Sequence, residues 1–281
     1  MKIAITGATG QLGRITVAKL KEKTSAENLV ALVRTPEKAA DLGIEARAFD
    51  YSKPGTLAAS LTGIDTLFLI SGNEIGQRAI QHKNVIDAAK EAGVKWIVYT
   101  SLLRADSTSL ILGAEHLTTE KALEESGITY TILRNGWYTE NYAQSIPGSI
   151  QAGGFIGSAG QGKISSASRE DFAEAAAVVL TTEGHANKVY ELAGDEAYTL
   201  ADFAAEISRQ SGKNIPYVNL SEADFTAALV GVGLPEGFAS VLSNSDIGAS
   251  KGDLFDDGKT LSKLIGRPTT PYSETIKAFL A

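Results

Sequence analysis

The chain of 281 residues is 43% hydrophobic and 21% charged, an ordinary globular composition with length for one large domain or two lobes. A formal net charge of −7 with no lysine- or arginine-rich run argues against nucleic acid as a partner. The chain has no cysteine, and His82, His116 and His185 show no metal-ligand spacing, so disulfides, thiolate nucleophiles, iron–sulfur clusters and metal sites are all excluded from expectation.

Met1-Lys2 passes at once into a strand over 2–6 (KIAIT), which is no secretory leader. No apolar run approaches the ~18 residues of a membrane span. A cytoplasmic protein without membrane partners is therefore expected. The strand runs into Gly7-Ala8-Thr9-Gly10-Gln11-Leu12-Gly13 and then a helix over 11–22. Three glycines between a strand and a helix place bare backbone N–H groups and a helix N-terminus where a pyrophosphate can sit. The spacing is G-x-x-G-x-x-G rather than G-x-G-x-x-G, so the glycines gain force from the second strand, 29–33, which ends in Arg34. A carboxylate at that place would repel a 2′-phosphate, whereas a guanidinium attracts one. NADPH is thus the expected cofactor, held by Gly7, Thr9, Gly10, Gln11, Leu12, Gly13 and Arg34.

Alternation continues with a helix at 36–42, a strand at 44–49, a helix at 54–62, a strand at 65–70 and a helix at 75–92. A strand at 95–100, a helix at 113–126 and a strand at 129–133 complete it. Runs such as TLFLI and WIVYT are almost continuously apolar, as strands buried on both faces must be. The expectation is an α/β Rossmann domain over 1–134, a doubly wound parallel sheet. Ser71, Gly72 and Asn73 end the fourth strand beside the glycine loop, where small residues let a ribose approach. Asp50 either accepts from the adenine amino group or is a solvated loop carboxylate. Gln77 is either a cofactor contact or a polar helix residue, and Ser101 ends the fifth strand towards the nicotinamide.

Residues 135–168 are rich in Gly, Ser and Asn, which predicts loops around short strands. Helices are predicted at 169–182, 199–211, 221–230, 235–243, 258–265 and 272–280. Residues 135–281 therefore read as a smaller, mainly helical lobe covering the substrate. Short strands near 155–167 and 188–193 are expected to return to the Rossmann sheet.

Several segments together resemble a known family. They are Leu32-Val33-Arg34, Phe49-Asp50-Tyr51, Leu69-Ile70-Ser71-Gly72, the run from Gln81 to Ala89, Tyr99-Thr100-Ser101 and the run from Leu133 to Asn141. They are similar to the NmrA-like branch of the atypical short-chain dehydrogenases, and within it to the bacterial NAD(P)H:quinone oxidoreductases of type 2, with the triphenylmethane dye reductases near them. The resemblance implies an NADPH-dependent quinone reductase, with Gly136, Trp137, Tyr138, Thr139, Glu140 and Asn141 closing over nicotinamide and substrate. Tyr138, Asn141 and Phe155 are the implied substrate contacts, although an aromatic pair such as Trp137-Tyr138 after a buried strand is also a common core feature. NmrA-like proteins also include dinucleotide-binding regulators without turnover, which is the alternative. A homodimer stays open.

Typical short-chain dehydrogenases pair a tyrosine acid with a lysine four residues later. No Tyr-x-x-x-Lys occurs here: His116 and Glu120 stand near those positions. Loss of the pair disfavours carbonyl chemistry, which needs a matched proton transfer. A quinone instead yields an aromatic hydroquinone anion that water can protonate. No residue is therefore named catalytic; His116 is either a weak acid or a helix-surface histidine making local hydrogen bonds.

Overall fold

A computed structural model describes all residues 1–281. In chain order, β1 (Ile3–Thr6), α1 (Gln11–Lys21), β2 (Leu29–Val33), a 3-10 segment (Pro36–Leu42), β3 (Glu45–Ala48) and α2 (Pro54–Ser60) open the chain. They are followed by β4 (Thr66–Leu69), α3 (Arg78–Glu91), β5 (Trp96–Leu102), α4 (Gly113–Ser126) and β6 (Thr129–Asn135). Then come α5 (Thr139–Ala143), α6 (Ile146–Ala152), β7 (Phe155–Gly157), α7 (Arg169–Thr181) and β8 (Lys188–Leu192). The remainder is α8 (Leu200–Ser211), β9 (Tyr217–Asn219), α9 (Glu222–Gly231), α10 (Glu236–Ser250), α11 (Thr260–Ile265) and α12 (Tyr272–Leu280).

The central sheet has the order β3-β2-β1-β4-β5-β6-β8. The first six strands pair in parallel, with Ile3 opposite both Leu29 and Thr66. The order reverses at β1, so the ends of β1, β2 and β4 share one edge and create the switch point where open α/β sheets bind ligands. Every residue of β1, β2 and β4 is buried, which is why these strands read as unbroken apolar runs. One face packs Leu57, Leu61, Val85, Ile86 and Ala89 against Leu67, Leu69, Ile97 and Tyr99. This is a doubly wound Rossmann-like fold.

Two compact units divide the chain: Met1–Ala105, Ala114–Asn135 and Arg169–Tyr190 form the first, and Asp106–Gly113, Gly136–Ser168 and Glu191–Ala281 the second. Residues 169–190, read from sequence as part of the covering lobe, cluster with the first unit. There α7 packs on α1 and the Lys19 ammonium lies 2.7 Å from Glu170. The expected strand near 155–167 does not return to the Rossmann sheet. Instead β7 pairs in parallel with β9, Phe155 opposite Tyr217, in a separate two-stranded sheet. Two short helices, α5 and α6, occupy part of the stretch that its composition marks as loop. The helix expected at 235–243 continues to Ser250.

Candidate functional site

At the end of β1 the backbone turns through Gly7, whose φ of +57° is a left-handed conformation that favours glycine. Its N–H donates to Leu32 O of β2 at 3.0 Å, and Gly10 N–H donates back to Gly7 O at 2.8 Å. Helix α1 then starts after Gly10 with no side-chain cap and no acidic residue in its first turn. The N–H groups of Gln11, Leu12 and Gly13 have no earlier helical carbonyl to bond, and the positive end of the helix dipole is left without a neutralising carboxylate. Gly13 has a different duty: a Cβ there would lie 2.3 Å from Gly7 O and 2.8 Å from Ala8 Cα. It brings the helix hard against the loop, so its place in the motif is explained by packing.

A cleft of about 420 Å³ opens at this edge of the first unit. Gly7, Thr9 and Gly10 form its floor, and Arg34, Asp50, Ser71, Gly72 and Asn73 stand on its walls together with Lys38, Tyr51, Glu74 and Gln81. Sequence reasoning missed these last four. Lys38 has a legible signal, a second cation four residues after Arg34 on the short 3-10 segment. Glu74 has none, yet one of its oxygens lies 3.4 Å from Arg34 Nη1 and the other accepts from Gln81 Nε2 at 2.7 Å. Asp50 accepts from the Ser52 hydroxyl at 2.7 Å and Ser52 N–H at 3.1 Å, which holds its carboxyl below the usual carboxylate range. Gln77, expected at the cofactor, is exposed and stands outside the cleft lining. Gln81, one helical turn later, is the glutamine that reaches it.

The cleft wall is fixed from behind by a buried polar network. Gly72 N–H donates to His82 Nε2 at 2.9 Å, while Gly72 O accepts from Arg78 Nε. Since Nε2 accepts, the neutral ring carries its proton on Nδ1, which lies 2.9 Å from Thr119 Oγ1. Burial, and secondarily the Arg78 charge, push the His82 pKa down to about 3. His116 is buried too, rather than on a helix surface. Its Nδ1 lies 2.7 Å from the Tyr99 hydroxyl and its Nε2 3.5 Å from Arg78 Nη1. Burial first, then Arg78, hold it well below the ordinary histidine value. Glu120 is clamped by Arg134, whose Nε and Nη2 lie 3.0 and 2.6 Å from its two oxygens. Ser101, expected towards the nicotinamide, instead donates its hydroxyl to Glu120 and is 5% exposed. A buried carboxylate needs every donor available, and this one takes Ser101. Thr100 is closer to the cleft wall, accepting from Ser71 N–H at 2.9 Å.

Within the second unit, Gly136 N–H donates to Leu192 O at 2.7 Å and Thr139 N–H to Ala167 O at 3.0 Å. These bonds anchor the segment Gly136–Asn141 at its start and at its fourth residue. Tyr138, Glu140 and Asn141 are half-buried, and Thr139 is buried against Ser166. Trp137 is buried beside Tyr142, ring centres 6.3 Å apart, and its Nε1–H has no protein partner. Phe155, expected on a pocket wall, is a core residue at 2% exposure, packed on Phe203 with ring centres 5.4 Å apart. Alternation explains this, because Phe155 lies on the inward face of β7 while Ile156 is exposed.

A glycine loop, an uncapped helix start and a cationic rim on one switch-point cleft describe a dinucleotide site, and the signature of the NAD(P)H-binding family matches residues 7–183. The chain belongs to this NAD(P)H-binding family. Among its members, quinone oxidoreductase 2 of Escherichia coli K12 is 58% identical over 277 residues, 98% of this chain and 97% of that protein. The crystal structure of the E. coli NADPH-dependent quinone oxidoreductase complexed with NADPH is 57% identical and superposes with a TM-score of 0.97 over 99% of this chain and all of that one. Triphenylmethane reductase from Citrobacter sp., complexed with NADP(H), superposes at 0.95 with 38% identity, over 99% of this chain and 100% of that one. No helix is long and apolar enough to cross a membrane, and no group of side chains could hold a metal ion.

Proposed function

We propose that this enzyme is an NADPH-dependent quinone reductase in which hydride passes directly from the nicotinamide to the quinone and water supplies the proton. The observation that carries the chemistry is the state of His116 and Glu120, the two residues nearest the missing Tyr/Lys relay. His116 is neutral and buried, and Glu120 is locked to Arg134. A neutral imidazole is a poor acid, and both oxygens of Glu120 are occupied by Arg134 and Ser101, so the positions of the missing relay offer no positioned acid of the Tyr/Lys kind. An NADPH-dependent quinone oxidoreductase at 57% identity supports the substrate class.

The residues present fit the cofactor. The first turn of α1 offers the N–H groups of Gln11, Leu12 and Gly13 to a pyrophosphate, and Gly7, Thr9 and Gly10 let it approach. Arg34 and Lys38 receive the 2′-phosphate, Asp50 faces the adenine, and Ser71, Gly72 and Asn73 border the ribose. Gly136, Trp137, Tyr138, Thr139, Glu140 and Asn141 serve the nicotinamide end, where the buried Trp137 Nε1–H is a donor left for a ligand. Tyr138 and Asn141 also orient the quinone. When bound, NADPH supplies a hydride and thus both electrons; quinone, NADPH and one proton become hydroquinone and NADP⁺. The protein contributes orientation and exclusion of competing reactions. The same reading places the enzyme in the cytoplasm with a free quinone as its small-molecule partner.

The test is steady-state oxidation of NADPH by 1,4-benzoquinone, using protein checked for flavin absorbance. Turnover without flavin is expected. Tight NADPH binding without turnover would overturn the reading in favour of a dinucleotide sensor, and activity that depends on added FAD would overturn the direct transfer.

A further inference from the structure

Asp246 on α10 is 2% exposed, and a buried carboxylate of this kind costs several kcal/mol to desolvate. Its hydrogen bonds come from neutral donors: Oδ1 accepts from the Tyr142 hydroxyl at 2.9 Å and Oδ2 from Ser158 N–H at 2.8 Å. An apolar residue would fill a purely structural position more cheaply. What distinguishes this one is the identity of its two donors. Tyr142 lies on α5, directly after Asn141. Ser158 follows β7, where the backbone is drawn so close that a Cβ on Gly157 would stand 2.8 Å from Oδ2. Helix α5 has five residues and β7 has three, too few to hold an orientation alone.

We propose that Asp246 is a positioning residue for quinone reduction: through the Tyr142 hydroxyl and the Ser158 amide it sets the orientation of α5, and with it Tyr138 and Asn141. This rests on the reading above that Tyr138 and Asn141 orient the quinone. Removing the carboxylate lets the five-residue helix turn about its Thr139 anchor, so the substrate contacts move while the cofactor cleft of the first unit is untouched. Burial raises the Asp246 pKa to about 6. The titratable groups facing it are Tyr142 from α5 and Tyr217 from β9, both phenols pushed up from their ordinary value and neutral in this range. Near pH 6 the carboxylate is therefore the group in this cluster that changes charge. Below it, the Tyr142 hydroxyl loses its anionic acceptor.

The experiment compares wild type with Asp246→Asn and Tyr142→Phe, and with Tyr138→Ala and Asn141→Ala as references. It measures KM and kcat for benzoquinone, NADPH Kd by fluorescence, and thermal melting, from about pH 5 to about pH 8. Asp246→Asn and Tyr142→Phe should each raise the quinone KM roughly tenfold, the scale of a lost charge-assisted hydrogen bond. NADPH Kd, set mainly by the pyrophosphate and 2′-phosphate contacts of the first unit, should shift clearly less, by no more than about threefold, because only its nicotinamide-end contacts lie on the segment that moves. In wild type, kcat/KM for quinone should fall as pH drops through about 6, and Asp246→Asn should lack that transition. If Asp246→Asn does not fold, Tyr142→Phe carries the test, keeping the transition but moving it upward as the carboxylate loses a donor. Unchanged quinone KM in folded variants, an equal shift in NADPH Kd, or a pH transition that survives Asp246→Asn would each overturn the proposal. If the two references raise KM and the Asp246 and Tyr142 variants do not, positioning alone fails. If the references have no effect, the quinone assignment fails and the proposal falls with it.

Discussion

Arg34 stands at the cleft rim with Glu74 against it, and on the proposed reading that pair sets the terms of cofactor choice. A charge-assisted contact to a 2′-phosphate is worth about 1.5–3 kcal/mol, so Arg34→Ala should weaken NADPH roughly ten- to a hundredfold and leave NADH nearly unchanged. Glu74→Gln should do the reverse. It removes a like charge from the phosphate's neighbourhood and should tighten NADPH about two- to fivefold, the scale of an exposed ion pair. Fluorescence titrations with both nucleotides check this; parallel losses for NADPH and NADH in Arg34→Ala would remove the arginine from the 2′-phosphate. Arg34 was legible because one strand end follows the glycine loop at a fixed distance. Glu74 and Gln81 were not, because their nearness to it depends on β2 and β4 flanking β1. His116 gives the companion prediction on chemistry. As a neutral buried ring it should tolerate His116→Gln with far less than the ~10²–10⁴-fold loss expected for a general acid. A nearly dead but folded variant would make it the proton donor after all.

At the level of elements, the glycine loop separates two duties that look alike in sequence. Gly10 is exposed at the start of α1, and a Cβ there meets only Gly7 O at 3.1 Å. Gly13 is buried, and a Cβ there would overlap the Gly7 and Ala8 backbone. Gly10→Val should therefore stay folded by circular dichroism while losing NADPH binding. Gly13→Ala should lower the melting temperature by several degrees, the consequence of overpacking by about 1–3 kcal/mol. Retained binding in Gly10→Val would show that no phosphate sits over the loop. The central strands β1, β2, β4 and β5 were readable because burial on both faces leaves a continuous apolar signature, which the edge strands β3 and β8 lack. β7 was located but assigned to the wrong sheet: three residues carry a period, yet nothing local says that Tyr217–Asn219 is the partner. Helices α5 and α6 were hidden by Gly, Ser and Asn, whose weak helix propensity tertiary packing overrides.

For the whole molecule, the order of elements gave the architecture, but linear order concealed that 169–190 rejoins the first unit, since a chain can leave a domain and return without any break in composition. Stability against pH is a property of the same whole, and two opposing sets of buried groups decide it. His82 and His116 are held neutral, with folded pKa values below the usual 6.5. As pH falls below 6.5, the unfolded chain takes up protons that these rings refuse, so stability is lost. At pH 5 His82 alone accounts for about 2 kcal/mol, and His116 adds in the same direction. Asp246 works the other way. Its folded pKa of about 6 against 3.8 means the folded chain binds the extra proton between those values, returning about 1 kcal/mol on going from pH 6 to pH 5. Carboxylates held low by their partners, such as Glu45 and Asp65, enter only below about pH 4.5. The histidines therefore win, and chemical denaturation should show a less stable protein at pH 5 than at pH 7. Asp246→Asn deletes the opposing contribution, so its loss over the same interval should be larger than that of wild type by about 1 kcal/mol. Equal stability of wild type at the two pH values would mean that His82 and His116 are not held neutral in the folded protein, and would return His116 to consideration as an acid.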